Sequence, residues 1–275
     1  MTRSPDDAHA GAVATFDPSA IETMRALRKI GHITPSCNSV LEPLTAMLGQ
    51  TIADRVSNHF VRIPVGNISM LDEDRGQFTV QTMVDAAESL ADAYMDAIVW
   101  NGTSACWNGI ESDVAICEAI TAATGLPAST STFAQFDAFD RFGLDRFALA
   151  VPYQDDVTAR TAETYGEAGY RVVSHANLSL TVGKEMADVP IATIRELIRA
   201  ADSPDAQCIV IICTGLPAAL VVQELEHELG KPIFDSVTVT FWKALQMLDQ
   251  PSEIAGWGSL MRGDDAVRAL LGSTA

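Results

Sequence analysis

The 275-residue chain has no CxxC pair, no HxxxH spacing, no glycine-rich phosphate loop and no cofactor-lysine motif. Each absence removes a class of chemistry. The histidines His9, His32, His59, His175 and His227 are too scattered to hold zinc, and a nucleotide or pyridoxal cofactor would need the missing loop or lysine. Basic residues are scarce: 18 Lys and Arg face 36 Asp and Glu, a formal charge of −18 that opposes nucleic acid and anionic membrane surfaces. No apolar run reaches the ~18 residues of a membrane span, and the start of the chain carries Asp6, Asp7, His9 and Asp17 instead of a signal sequence. The expectation is a cytoplasmic protein, with no metal and no cofactor, that binds neither nucleic acid nor membrane. The odd number of cysteines, Cys37, Cys106, Cys117, Cys208 and Cys213, argues for reduced thiols over a disulfide framework.

What is present is a hydrophobic content of 48%, enough for a large core, arranged as short β-branched runs alternating with helical periods. That alternation predicts an α/β fold with parallel sheets covered on both faces. Strands are expected near 30–34, 60–65, 97–101 and 126–128, and again near 146–151, 171–174, 208–213 and 232–234. The two series match. Pro35 and Pro152 follow the first strands, Gly102 and Gly215 lie just beyond the third, and Gly125-Leu126-Pro127 and Gly230-Lys231-Pro232 precede the fourth. From the first-strand proline to the fourth-strand proline the chain advances 92 residues in one series, Pro35 to Pro127, and 80 in the other, Pro152 to Pro232. Two pseudo-symmetric Rossmann-like lobes follow, each with a mainly four-stranded sheet, and a site at their interface where strand ends converge. The expected boundaries are an N-terminal extension over 1–27, lobes over 28–142 and 143–248, and a C-terminal segment over 249–275 packing back on the first lobe. Residues 1 to about 19, small and aperiodic, read as an arm or lead-in helix.

Chemistry concentrates at the strand ends. Cys213 closes the run Cys208-Ile209-Val210-Ile211-Ile212 before Thr214-Gly215 and an expected helix, where a helix dipole would stabilise a thiolate. Cys208 and Cys117 suit packing as small hydrophobes. The equivalent turn of the first lobe offers Gly102, Thr103 and Ser104, whose hydroxyls and N–H groups can hold a carboxylate or an enolate, or can cap a helix. Asn38 and Tyr153 come from the two first-strand loops; each can bind a carboxylate without positive charge, and Asn38 can equally cap the next helix.

Together, Pro35-Ser36-Cys37-Asn38, the stretch Gly125 to Thr132, Pro152-Tyr153, and Cys213-Thr214 followed by Leu229 to Pro232 give a resemblance. The chain resembles the aspartate/glutamate racemase superfamily, in its branch of maleate cis-trans isomerases and arylmalonate decarboxylases. The resemblance implies the two-lobed fold, cofactor independence and a small carboxylate substrate held by Asn38, Gly102, Thr103, Ser104, Tyr153 and Thr214, with Cys213 catalytic. Racemases and isomerases of that superfamily place a cysteine in each lobe; here Gly102 stands where the first would be, and Cys106 lies out of register. Gly183 and Val237 fall where the family carries asparagine.

One thiol serves one face of a substrate, which suits a decarboxylase whose Cys213 protonates an enediolate. The alternatives are a maleate-type isomerase or racemase, a hydrolase or ring-opening enzyme with Cys213 as nucleophile, and a non-catalytic small-acid binding protein. The oligomeric state is open, a homo-oligomer being one option.

Overall fold

The computed structural model describes residues 19–272; the first eighteen residues, most of the expected N-terminal extension, lie outside the described region. Chain order is α1 (Ser19–Ala26), β1 (Arg28–Pro35), α2 (Leu41–Gly49), β2 (Val56–Ile63), α3 (Asp72–Arg75), α4 (Val80–Ala91), β3 (Ala97–Trp100), α5 (Ala105–Asn108), α6 (Ile110–Thr124), β4 (Ala128–Thr130) and α7 (Ser131–Phe142). The second half continues β5 (Arg146–Tyr153), α8 (Asp155–Glu167), β6 (Arg171–Leu180), α9 (Ile191–Ala201), β7 (Cys208–Ile211), α10 (Val222–Leu229), β8 (Ile233–Asp235), α11 (Ser236–Met247) and α12 (Asp264–Gly272).

Two all-parallel sheets result, ordered β2-β1-β3-β4 and β6-β5-β7-β8. The repeat is thus visible in strand order as well as in sequence. The inner strands β3 and β7 are buried at every residue, as continuous apolar runs in a two-sided sheet should be. The edge strand β2 is only half-buried, and it begins at Val56, earlier than the expected 60–65. β6 runs on to Leu180, well past the expected 174. β4 begins at Ala128, because Gly125 closes α6 at φ 72° and the chain needs Leu126 and Pro127 to turn into the sheet. Gly230, at φ 68°, closes α10 before β8 in the same way.

The last helix of each half crosses to the other. α7 lays Phe139 on Phe147 of β5, with centroids 5.2 Å apart, and Phe142 on Phe234 of β8 at 6.3 Å. α11 in return packs on β3, β4 and α2 of the first sheet. The two exchanged helices meet through Thr240 Oγ1, which donates to Ser131 Oγ at 2.8 Å, and through Lys243 and Asp137 at 2.6 Å. This exchange, together with contact between α5 and α8, holds the carboxyl ends of both sheets against one another. A second tie forms between the loops after the two edge strands. Ile68 N–H donates to Thr181 O at 2.8 Å and Gly183 N–H to Gly66 O at 3.0 Å, around an antiparallel bridge of Asn67 and Val182.

Beyond α11 the chain turns back, and Arg141 of α7 pairs with Asp264 of α12 at 2.8 Å. No helix among the described residues is long and apolar enough to cross a membrane.

Candidate active site

Between the strand ends of the two sheets lies a pocket of about 430 Å³, counting its open mouth. All seven residues expected from sequence, Asn38, Gly102, Thr103, Ser104, Tyr153, Cys213 and Thr214, line it. Also in its wall, and unnoticed in the sequence as site residues, are Cys37, Phe78, Trp100, Trp107 and Met186. Cys37 is the neighbour of Asn38 and could have been found from that adjacency; the others come from a loop (Phe78), the end of β3 (Trp100), the short helix α5 (Trp107) and a 3-10 turn (Met186), none of which carries a motif. Among the described residues, no Arg, Lys, His, Asp or Glu lines the pocket. Any carboxylate held here is held by neutral donors, in keeping with an acidic chain.

Those donors sit mainly at the turn after β3. Cys106 N–H donates back to Thr103 O at 3.0 Å, while among the described residues the N–H groups of Gly102, Thr103 and Ser104 have no protein acceptor. Three consecutive N–H groups beside two hydroxyls are donors of the kind that can hold an anion. The turn is braced from beneath by Asn101, whose Nδ2 contacts the ring of buried His32 at 3.1 Å. Burial pushes His32 down to about 4, so the ring is a neutral hydrogen-bonding strut between Asn58 and Asn101.

Tyr153, at the end of β5, is 2% exposed and sits with its hydroxyl 3.4 Å from Thr103 Oγ1 and within reach of the Cys213 thiol. Burial, and then the sulfur beside it, hold the phenol well above its ordinary value, so it remains a hydrogen-bond donor.

Cys213 departs from the sequence expectation in one respect. The stretch after it is a turn and a short 3-10 segment from Pro217 to Val221, and α10 starts only at Val222, too far along to lend its dipole to the sulfur. Burial dominates instead and pushes the thiol up to about 11, against the opposing pull of Tyr153 and the Gly215 and Leu216 N–H groups. The thiol is protonated at neutral pH and lies 3.5 Å from the Met186 thioether.

Asn38 also has a larger structural share than the sequence suggested. Its Oδ1 accepts from Val40 and Leu41 N–H at 2.9 and 3.0 Å, opening α2, and its Nδ2 donates to Thr214 Oγ1 at 3.1 Å. Thr214 passes its own hydrogen to Asn101 O at 3.0 Å, so this pair bridges the lobes and leaves one amide hydrogen of Asn38 for a ligand. Cys106 is excluded from the pocket wall; its sulfur contacts Thr132 and Tyr165 at 3.8 and 3.7 Å, and burial pushes it up to about 12. Of the positions where the resemblance implies asparagine, Val237 is buried in α11 away from the pocket, and Gly183 faces Cys37 so closely that a Cβ would stand 2.6 Å from its sulfur.

The arylmalonate decarboxylase family profile matches residues 66–261, most of the chain and every second-lobe element of the pocket. The chain belongs to this family. Among arylmalonate decarboxylase family relatives, an arylmalonate decarboxylase from Bordetella bronchiseptica is 32% identical over 171 residues, covering 61% of this chain and 71% of its own. A maleate isomerase from Geobacillus stearothermophilus is 23% identical over 86% of this chain and 97% of its own. In three dimensions the chain is similar to a Nocardia farcinica maleate cis-trans isomerase carrying a covalently bound succinylcysteine intermediate, with a TM-score of 0.79 at 21% identity over 86% of this chain and 99% of that one. Membership in the arylmalonate decarboxylase family makes the protein an enzyme of the lyase or isomerase kind.

Proposed function

We propose that the protein is a cofactor-independent decarboxylase of a small malonate-type acid, with Cys213 as proton donor. The observation that carries this reading is a thiol held protonated in an uncharged pocket, opposite a turn with three N–H groups and two hydroxyls to offer. When the carbon–carbon bond to one carboxylate breaks, carbon dioxide leaves and the electron pair enters the remaining carboxylate as an enediolate. Thr103, Ser104, Tyr153 and the N–H groups of 102–104 stabilise its oxygens. Cys213 Sγ–H then gives its proton to the α-carbon, and the thiolate regains one from water. Asn38 and Thr214 hold the lobes in register around the substrate, with one amide hydrogen of Asn38 directed to a carboxylate.

A maleate-type isomerase is the second reading, favoured by the length over which the maleate isomerase relatives align and by Cys37 as a second pocket thiol. Against it, a nucleophile must be ionised, and Cys37 too is raised by burial. The same objection weakens a hydrolase that attacks with Cys213. The net charge of −18 supports a small acid over any polyanion as partner, and the free cysteines suit a reducing compartment such as the cytoplasm.

The test is a panel of α-substituted malonates, maleate, amino acids and cyclic amides followed by NMR in deuterated water. Loss of carbon dioxide with a single deuterium at the α-carbon is expected. Fumarate from maleate would establish the isomerase, ring opening the hydrolase, and stoichiometric binding without turnover a binding protein. Cys213→Ala should lower the rate at least about a hundredfold, as loss of a general acid does. Cys106→Ala, altering a thiol outside the pocket, should leave most of it.

A further inference from the structure

Gly102 does not owe its identity to its backbone. Its φ is not positive, unlike those of Gly109, Gly125 and Gly143, so any residue could adopt its conformation. What it cannot have is a side chain. A Cβ there would stand 2.0 Å from Cζ2, 2.2 Å from Cε2 and 2.7 Å from Nε1 of Trp100, whose indole lies across the glycine. Nor is that indole free to move. Trp100 is fully buried, its Nε1–H donates to Ser104 Oγ at 3.4 Å, and its ring packs 6.1 Å from Phe78. Phe78 in turn meets Trp107 at 6.1 Å, and Trp107 meets Tyr153 at 5.2 Å, so this side of the pocket is a continuous aromatic wall.

We propose that Trp100 is the specificity-determining residue that makes this site one-sided: its indole takes the volume a side chain at position 102 would need, presenting the substrate a flat ring in place of a proton-transfer group. The inference rests on the decarboxylase reading for its chemistry but not for its geometry. Gly102→Cys by itself does not place a second thiol across from Cys213, because thiol and indole compete for one space. Trp100 also sets how bulky a substituent that wall admits.

The experiment compares Gly102→Ala, Gly102→Cys, Trp100→Leu and the two double variants in the full-length enzyme. Thermal denaturation reads the geometry without any substrate. Gly102→Ala should lower Tm by roughly 5 °C or more when Trp100 is present, as overpacking of a filled core does, and by less than half as much in the Trp100→Leu background. Equal losses in both backgrounds would overturn the proposal.

Activity reads the chemistry, on an optically pure 2-substituted propionate in deuterated water. In Trp100→Leu/Gly102→Cys one thiolate removes the α-hydrogen as a proton, the electron pair passes into the carboxylate as an enediolate, and the other thiol returns a proton to the opposite face. Racemisation in the double variant should exceed that of Gly102→Cys by at least about tenfold. A Gly102→Cys enzyme that folds and racemises as fast as the double variant would overturn the proposal, as would wild-type racemisation abolished by Cys37→Ala. A Gly102→Cys chain that folds only with Trp100→Leu supports it. If the stability coupling is present while no variant decarboxylates any malonate, the decarboxylase reading falls and the hold of Trp100 on position 102 stands.

Discussion

The protonation state of one sulfur separates the chemistries open to this pocket. Burial pushes Cys213 up to about 11, and the neighbours that pull it down, Tyr153 first, do not undo that. If Cys213 donates a proton in the rate-limiting step, the active form is the thiol. The catalytic rate should then stay level from about pH 7 to pH 9 and fall as the pH approaches the thiol's own value. A nucleophilic thiolate would give the opposite slope, with activity rising through the same range. The measurement is kcat against pH with thiol ionisation followed by absorbance near 240 nm in the same buffers, and a rising limb that coincides with thiolate formation would exclude the acid role. Placing Cys213 at the site was within reach of the sequence, because a cysteine ending an apolar strand run is conspicuous. Its protonation state was not, because the expectation of a stabilised thiolate assumed a helix beginning at once, and the chain inserts a turn from Thr214 to Leu216 and a 3-10 segment before α10.

At the scale of elements, the two matching series of strands were legible because β-branched runs and glycine-proline turns repeat in the same order. Helix exchange was not, since nothing local in Ser131 to Phe142 or Ser236 to Met247 says which sheet the helix will cover. The α7 segment mixes Phe133, Phe136, Phe139 and Phe142 with Asp137, Asp140 and Arg141, so its periodicity marks no clear apolar face, and tertiary burial of its aromatic residues decides where it packs. Asn38 shows the same limit within one residue, because substrate binding and helix capping call for the same side chain. The structure gives it both a cap and a bridge, which has a measurable result. Asn38→Ala should cost roughly 1–2 kcal/mol through loss of the cap, a Tm decrease of about 2–8 °C for a chain of this size, besides any effect on KM. Asn38→Asp keeps the oxygen that accepts from Val40 and Leu41 but loses the donor to Thr214, so it should recover much of the stability while KM stays raised. Unchanged denaturation for Asn38→Ala would mean that α2 does not depend on this cap.

For the molecule as a whole, pH acts on stability through a few buried groups of opposite sign. His32 is neutral in the fold, down at about 4 against an ordinary 6.5, so the unfolded chain takes up a proton first as the solution is acidified. Its contribution is complete above pH 6.5 and is lost as pH falls from there to about 4, an amount on the order of 3 kcal/mol. Asp113, in α6, is the reverse case: wholly buried, and pushed by burial up to about 7 from 3.8, with the Thr130 and Thr132 hydroxyls offsetting only part of the shift. The unfolded chain loses this proton first as pH rises, so the fold is weakened progressively between about pH 4 and 7 and then no further. Asp235 shifts the same way and to the same value, although its Oδ1 keeps the N–H groups of Val237 and Thr238. A formal charge of −18 at pH 7 adds self-repulsion in the same direction. Two buried carboxyls and the net charge therefore outweigh one histidine, and thermal stability should decline from about pH 4 to pH 7 and change little between pH 7 and pH 8. Asp113→Asn isolates one of the two carboxyl contributions. It removes an ionisation without changing side-chain size, so its Tm relative to wild type should climb by several degrees between pH 4.5 and about pH 7 and then stay level to pH 8. Calorimetry across that range in a buffer of constant ionic strength makes the comparison, and a difference between the two proteins that does not vary with pH would show that Asp113 shares its carboxyl with a partner in solution.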